Sequence, residues 1–140
     1  MLTTISKDFR WEMGHRLPDH EGACRNIHGH SYRMWVELTG EPDQTGMVLD
    51  YFVLKQLVDP LVAELDHAFL CHDTDSLMVN FLKASDLKAV YVPFATTAEH
   101  IAAWFFERLS LLFARMKHLQ ELRVRIQETE RTSAEVGGKL

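Results

Sequence analysis

Two segments in the first third of the chain alternate apolar and polar residues, the period of a β-strand with one buried face. In residues 5–17 the apolar side chains occupy the odd positions, and in residues 28–39 they occupy the even positions. The segment 18–27 between them contains Pro, Gly, Asp and Asn and is typical of a loop. The pattern therefore predicts two antiparallel strands joined by this loop.

Helical spacing replaces the alternation in two later segments. Leucines and a valine recur at intervals of three and four in residues 51–65, which predicts a helix, and Pro60 inside it predicts a kink or a break. The sequence TTAE at 96–99 has the form of a capping box, with Thr96 as the cap and Glu99 three residues on. It predicts a second helix that runs to about residue 117.

The segments around these helices carry weaker signals. A turn is expected at 40–46, followed by a short extended piece at 47–50. Residues 71–88 are polar and irregular and indicate no regular element. Residues 89–94 predict an edge strand, because Pro93 lacks the N–H that a central strand needs.

Residues 122–128 alternate again and predict a final strand. The order strand, strand, helix, helix, strand predicts an α+β fold with two helices on one face of an antiparallel sheet. A chain of 140 residues is the size of one domain, so we expect a single domain over residues 1–140.

Composition narrows the compartment and the class of partner. The formal net charge of −5 argues against nucleic acid, and no apolar run reaches the roughly 18 residues of a membrane span. Cys24 and Cys71 are the only cysteines, which disfavours a disulfide framework and indicates a cytoplasmic setting. The first 15 residues lack the basic and apolar regions of a signal peptide.

Three histidines share the apolar parity of the two predicted strands. His28 and His30 are two residues apart and project to the same side, and antiparallel pairing brings His15 opposite the start of the second strand. Three imidazoles with an open fourth position form a catalytic zinc site in many enzymes. The alternative is that they are core or rim histidines with ordinary hydrogen-bond partners. His20, in the loop, is a weaker fourth candidate.

Cys24 lies four residues before His28, in a loop rather than on an apolar face where structural cysteines usually sit. Beside a divalent metal and Arg25, such a thiol could serve as a metal ligand or as a general base. The alternative is an incidental loop cysteine.

Acidic residues stand out at two other places. Asp66 and His67 follow the first predicted helix. Because the side chains of adjacent helical residues point about 100° apart, these two cannot face one atom while the helix continues. One interpretation is that His67 lies at the helix C-terminus, where the helix dipole favours a histidine. Glu128 shares the apolar face of the last predicted strand. A buried carboxylate needs a partner, which is either a ligand or a donor within the chain.

Together these motifs resemble the 6-pyruvoyl-tetrahydropterin synthase and 6-carboxytetrahydropterin synthase family. The resemblance covers about four fifths of the chain and rests on MGHRLPDHEGACRNIHGHSYRMWVELTG, GMVLDYFVLK, LDHAFL, TTAEHIAAWF and VRIQETE. It implies a tunnelling fold (T-fold), in which the sheets of several subunits join into a barrel. It also implies a homo-oligomer, commonly a hexamer of two stacked trimers, with active sites between subunits.

The resemblance also implies roles for individual residues. Cys24 is the implied catalytic base. Asp66 and His67 are implied to complete a proton relay, for which a neighbouring subunit is one source. Glu128 is expected to bind the amino-pyrimidinone edge of the pterin, because a carboxylate can accept hydrogen bonds from the two parallel N–H donors of that edge. The implied zinc ligands are His15, His28 and His30. The implied additional substrate contacts are Thr97 and Glu99.

The implied substrate is 7,8-dihydroneopterin triphosphate. Three residues separate Cys24 from His28, and this spacing resembles the bacterial carboxy-forming synthases, which release acetaldehyde as well as triphosphate. A pyruvoyl-forming synthase or related paralogue, and a non-catalytic pterin-binding protein that keeps zinc for structure, remain as alternatives. The stretch 71–95 is longer than the carboxy-forming type leads us to expect, and the last residues lack the expected terminal strand pattern.

Overall fold

The computed structural model describes residues 1–140 and contains one six-stranded sheet with three helices. The strands lie in the order β4-β3-β1-β2-β5-β6. No helix is long and apolar enough to cross a lipid bilayer. The elements in chain order are β1 Thr3–His15, β2 His28–Gly40, α1 Tyr51–Leu65, β3 Ala68–His72, α2 Ser76–Ser85, β4 Ala89–Val92, α3 Ala98–Phe113, β5 Leu119–Thr129 and β6 Thr132–Lys139.

The two alternating segments form the centre of the sheet, as predicted. β1 and β2 pair antiparallel along their whole length, from Thr3 opposite Gly40 to His15 opposite His28. Their apolar faces, together with the apolar face of β5, pack against α1 and α3 in the main core. The polar faces of the same strands remain largely accessible. The predicted packing of two helices on one face of the sheet is confirmed.

The first predicted helix forms, but the prediction of a break at Pro60 is wrong, because α1 continues from Tyr51 to Leu65. Burial of Leu54, Val58 and Leu65 in the core offsets the hydrogen bond that Pro60 cannot donate. The extended piece expected at 47–50 is also wrong. This segment bends, and the side chain of Asp50 accepts a hydrogen bond from the Phe52 N–H at 2.8 Å as the helix cap.

The region after α1 differs most from the sequence-based expectation. The sequence indicates no regular element in residues 71–88, yet they contain the last two residues of β3 and all of α2. β3 runs parallel to β1 and β4 runs parallel to β3, so the sheet is mixed rather than antiparallel. Helix α2 packs on the far side of β3, where Met78 and Leu82 cover Cys71. β4 is an edge strand, as predicted.

The ends of α3 and of the chain also need correction. Thr97, not Thr96, caps α3 by accepting a hydrogen bond from the His100 N–H at 3.3 Å, and the helix ends at Phe113 rather than near residue 117. The chain finishes in a further strand, β6, which pairs antiparallel with β5. β6 is mostly exposed and contains two glycines, so it lacks the apolar alternation that reveals a strand in sequence.

Candidate active site

The three predicted histidines converge at the end of the β1–β2 pair. The register places His15 directly opposite His28, and His30 follows two residues later on the same face. The candidate ligand atoms of the three rings lie within 4.8 Å of one another. The ring centroids are 4.6 Å apart for His15 and His28 and 5.0 Å apart for His28 and His30. The convergence expected from strand parity is therefore confirmed.

His15 is oriented as a metal ligand would be. Its Nδ1 lies 2.8 Å from the carbonyl oxygen of Thr96, which can only accept a hydrogen bond, so Nδ1 carries the proton and Nε2 carries the lone pair. The residue is 2% exposed, and its Nε2 is buried without a hydrogen-bond partner. A buried polar atom without a partner is costly, and a metal ion would satisfy it. His28 Nδ1 likewise lies 2.8 Å from the carbonyl of Asn26.

The environment favours the neutral form of His15 and His30. Burial lowers the pKa of His15 from 6.5 to about 4, and the nearby His28 and His30 lower it further. Burial also lowers the pKa of His30, again with a contribution from His28. The neutral imidazole is the form that binds a metal ion. Geometry and protonation therefore both fit a three-histidine metal site.

Glu128 borders the histidine cluster, near the end of β5. Its Oε2 lies 3.8 Å from His30 Nε2, and its Oε1 accepts a long hydrogen bond of 3.4 Å from the Tyr32 hydroxyl. Tyr32 is buried and stacks on Trp11, with ring centroids 5.5 Å apart. Burial raises the pKa of Glu128, and the charge of Glu99 adds to the rise. No arginine pairs with this carboxylate, so one side of it remains available to a ligand.

Cys24 lies in a single turn of 3₁₀-helix, Ala23–Arg25, within the loop between β1 and β2. The residue is partly exposed, and its carbonyl accepts a hydrogen bond from the Leu17 N–H at 2.9 Å. The cluster of potential metal ligands contains the three histidines but not this thiol. The ligand interpretation of Cys24 therefore lacks support, and the general-base interpretation stays a prediction.

Asp66 and His67 face each other because α1 has already ended. Asp66 caps the helix, and His67 adopts a left-handed backbone conformation with φ of 58°. This turn places His67 Nδ1 3.0 Å from Asp66 Oδ1, which also accepts a hydrogen bond from the Glu12 N–H at 3.0 Å. That backbone hydrogen bond and the adjacent His67 lower the pKa of Asp66.

The Asp66–His67 pair opens towards the polar face of β1 and β2, whereas the three histidines share the apolar parity of these strands. The His67 side chain is 77% exposed and lines a groove of about 410 Å³, together with polar-face residues of β1 and β2 such as Glu12 and Ser31. The floor of the groove is the cross-strand pair Gly14 and Gly29. A Cβ at Gly29 would lie 2.9 Å from the Met13 carbonyl oxygen, so β1 and β2 approach too closely there for a side chain.

The remaining predicted contacts lie at the start of α3. The Thr97 hydroxyl is occupied in capping the helix, and Glu99 is exposed on its first turn. Sequence reasoning missed Thr96, which orients His15, because two consecutive threonines fit the same capping motif. It also missed Tyr32, although Tyr32 has the same strand parity as His30 and could have been found from that signal.

Comparison with known proteins gives consistent results. The family model described as 6-pyruvoyl tetrahydropterin synthase matches residues 4–139. The "6-carboxy-5,6,7,8-tetrahydropterin synthase" of Haemophilus influenzae is 40% identical over 113 residues, which cover 75% of this chain and 80% of that protein. The protein of the same name from Synechocystis is 40% identical over 111 residues, covering 75% and 73%.

Solved structures agree over nearly the entire chain. The 6-pyruvoyl tetrahydropterin synthase of Plasmodium vivax superposes with a TM-score of 0.80 at 17% identity, covering 100% of this chain and 99% of that one. The Caenorhabditis elegans 6-pyruvoyl tetrahydropterin synthase gives a TM-score of 0.74 at 28% identity, covering 99% and 96%. These likenesses confirm the predicted tunnelling fold of the subunit.

Proposed function

The chain belongs to the 6-pyruvoyl tetrahydropterin synthase family, and we propose that it is a zinc-dependent lyase of the carboxy-forming type. With water, it converts 7,8-dihydroneopterin triphosphate into 6-carboxy-5,6,7,8-tetrahydropterin, acetaldehyde and triphosphate, a step towards queuosine and other 7-deazapurines. The observation that carries this proposal is the buried, unpartnered Nε2 of His15 within a three-histidine cluster, with the carboxylate of Glu128 beside it. We place the activity in the cytoplasm.

The metal ligands in this proposal are His15, His28 and His30. A bound zinc ion supplies Lewis acidity, which polarises oxygens of the substrate and acidifies the neighbouring protons. The chain contributes the fixed geometry. The strand register sets the spacing of the three rings, and the carbonyls of Thr96 and Asn26 orient two of them.

Proton transfer in this proposal belongs to Cys24, Asp66 and His67. Cys24 removes a proton from the substrate side chain, and His67 carries protons while Asp66 holds its Nδ1–H. The 3.0 Å contact between Asp66 and His67 supports this division of roles. Because the pair opens on the sheet face opposite the histidines, we propose that it serves the site of a neighbouring subunit in a homo-oligomer, such as a hexamer.

Glu128 provides substrate recognition in this proposal. A pterin presents two parallel N–H donors on its amino-pyrimidinone edge, and a carboxylate can accept both. Glu128 has the partly buried position, and the free side, that such a contact requires. Glu99 is close enough to influence its pKa, and we place Glu99 and Thr97 at the same end of the substrate pocket.

The carboxy-forming reaction is preferred over the pyruvoyl-forming one for two reasons. The 40% identical relatives bear the carboxy-forming name, and the three-residue gap between Cys24 and His28 resembles that type. The pyruvoyl-forming reaction is the second candidate, because the solved structures of the same fold bear that name.

The test is to incubate the zinc-loaded protein with 7,8-dihydroneopterin triphosphate, to identify the pterin product by mass spectrometry and to assay acetaldehyde. The expected result is the 6-carboxy product with one acetaldehyde per pterin. A 6-pyruvoyl product without acetaldehyde would instead establish the second candidate. Unchanged substrate, from protein that contains stoichiometric zinc, would contradict both reactions. The same protein stripped by a chelator and reloaded provides the control for the metal.

A further inference from the structure

Arg16 and Asp75 form the most buried ion pair of the chain. Two parallel contacts join them, Arg16 Nε to Asp75 Oδ2 at 2.7 Å and Arg16 Nη2 to Asp75 Oδ1 at 2.8 Å, and their side chains are 15% and 4% exposed. We propose that this pair is a positioning device that holds the thiol loop, residues 16–27, and thereby sets the place of Cys24 relative to the histidine cluster. The inference rests on the proposed function in so far as it assigns Cys24 a catalytic role.

The ion pair contacts the thiol loop through the side chain of Arg16. The remaining guanidinium nitrogen, Arg16 Nη1, donates to the carbonyl of Arg25 at 3.2 Å, and Arg25 directly follows Cys24. The carbonyl of Cys24 itself accepts from the Leu17 N–H at 2.9 Å. Two consecutive residues of the short turn, Cys24 and Arg25, are therefore tied to the start of the loop, and one of the two ties is the Arg16 side chain.

Arg16 also connects the loop to the histidine cluster, because it directly follows His15. Its carbonyl accepts a hydrogen bond of 3.4 Å from the Thr96 hydroxyl. The carbonyl of Thr96 accepts the Nδ1–H of His15 at 2.8 Å. A displacement of Arg16 would therefore change the thiol loop first and the orientation of His15 second.

Asp75 supplies a rigid anchor for this arrangement. It is the N-cap of α2, and its Oδ1 also accepts a hydrogen bond from the Met78 N–H at 3.4 Å. Met78 and Leu82 fix the helix against Cys71 on β3. Helix α2 lies in the stretch that carries none of the family motifs. The proposal gives that helix a role, which is to present the anchoring carboxylate to the thiol loop.

Only arginine can make these three contacts at once. Its planar fork binds both oxygens of a carboxylate and leaves a third nitrogen for another acceptor, whereas lysine offers a single point of attachment. A nearly buried ion pair contributes little net stability, because the cost of removing both charges from water offsets their attraction. A geometric role explains the pair better, since a misplacement of about 1 Å at a catalytic group can reduce turnover about 100-fold.

The experiment uses Asp75→Asn, which keeps the side-chain shape and the acceptor for the helix cap but removes the charge. Asp73→Asn is the matched control, because Asp73 is a nearby exposed acid whose carboxylate lies 4.0 Å from His72. We expect Asp75→Asn to lower kcat about 10- to 100-fold with little change in KM and with full zinc content. Asp75→Glu, which restores a carboxylate, should recover part of the loss. Asp73→Asn should behave as the unmodified protein.

A second readout does not depend on turnover. Backbone hydrogen exchange over residues 17–26, and the rate at which iodoacetamide alkylates Cys24, should both increase in Asp75→Asn. Arg16→Lys keeps the positive charge and the Asp75 cap, so it provides a folded variant if Asp75→Asn unfolds, and it should show the same two increases.

The two readouts separate failure of this inference from failure of the proposed function. Unchanged kcat, hydrogen exchange and alkylation in both variants would overturn the positioning role while leaving the lyase reaction intact. If the unmodified protein does not consume the substrate, the proposed function fails. The exchange and alkylation measurements then still decide whether Arg16 and Asp75 hold the loop.

Discussion

The histidine cluster and the Asp66–His67 pair are two hydrogen-bonded groups on opposite faces of the same sheet, and they differ in how far one chain completes them. His15 is 2% exposed, and the ligand atoms of its cluster converge within 4.8 Å. His67 is 77% exposed and faces an open groove. The first group is thus a preformed cluster with the geometry to hold an ion within one chain, whereas the second is oriented but lacks an opposing surface.

The electrostatics of the two groups differ in the same way. Burial lowers the pKa of His15 and favours its neutral form, as a metal ligand requires. In the other group the Glu12 N–H and His67 lower the pKa of Asp66, so the carboxylate remains charged and can accept a hydrogen bond from His67. This difference is consistent with the proposed roles, metal binding for the histidine cluster and proton transfer for the Asp66–His67 pair.

The largest expected effect is the loss of a proposed metal ligand. His28→Ala should abolish stoichiometric zinc binding and reduce affinity for the metal by more than about 100-fold, since even a lost hydrogen-bond partner of a ligand costs 10- to 100-fold. Zinc content can be measured by atomic emission after dialysis. His20→Ala is the control, because that side chain binds only its own loop at the Gly22 N–H. Full zinc content in His28→Ala would contradict the assignment of metal binding to the histidine cluster.

Removal of the proposed base should reduce turnover without affecting the metal. We expect Cys24→Ala to lower kcat by about 10²- to 10⁴-fold, the usual contribution of general acid–base catalysis, while zinc and pterin binding persist. Cys71→Ala is the matched control, because that thiol is buried under α2 and burial raises its pKa to about 11. Normal turnover in Cys24→Ala would exclude a catalytic role for this thiol.

The metal-free protein should lose stability in acid because of His15. Its pKa falls from 6.5 in the unfolded chain to about 4 in the folded one, so the neutral form favours folding. This stabilisation of the folded state, about 3 kcal/mol, is fully present above pH 6.5, declines as the pH falls and is lost near pH 4. Urea unfolding at several pH values measures it. His15→Asn should flatten the dependence, whereas a steep dependence that survives the substitution would contradict the assignment.

A smaller effect is expected at the rim of the histidine cluster. Glu128→Gln keeps one acceptor but replaces the other with a donor, so the KM for the pterin should rise about 10- to 100-fold, corresponding to the loss of about one or two charge-assisted hydrogen bonds. Glu130→Gln is the control, because Glu130 is exposed in the turn after β5. Steady-state kinetics separate this binding effect from a change in kcat, and equal KM values in the two variants would rule out recognition by Glu128.

The sequence revealed the histidine face better than the region around Asp66 and His67. β1 and β2 alternate cleanly because one face is buried and the other is not, and that parity brought the three histidines together. β3 is short and covered on both sides, by the main core and by α2, so it shows no alternation. The pairing of Asp66 with His67 depends on the left-handed turn at His67, and no sequence pattern predicts that turn.

Contacts between distant residues were the least predictable. Arg16 and Asp75 are 59 positions apart, and Thr96 reaches His15 across 81 positions. Each pairing exists because separate strands and helices end at the same edge of the sheet, and periodicity within one segment contains no information about that. The family resemblance implied roles for the candidate site residues but not for these supporting ones.

The most direct test of the central claim is whether the two faces cooperate across a subunit boundary. Cys24→Ala and His67→Asn should each be nearly inactive alone, but co-expressed and purified as a mixed oligomer they should regain turnover. For random assembly, about a quarter of the sites then combine an intact Cys24 with an intact His67 from a neighbour. Recovery to roughly that fraction of the unmodified rate is the predicted result. No recovery, in oligomers shown by native mass spectrometry to contain both variants, would contradict it.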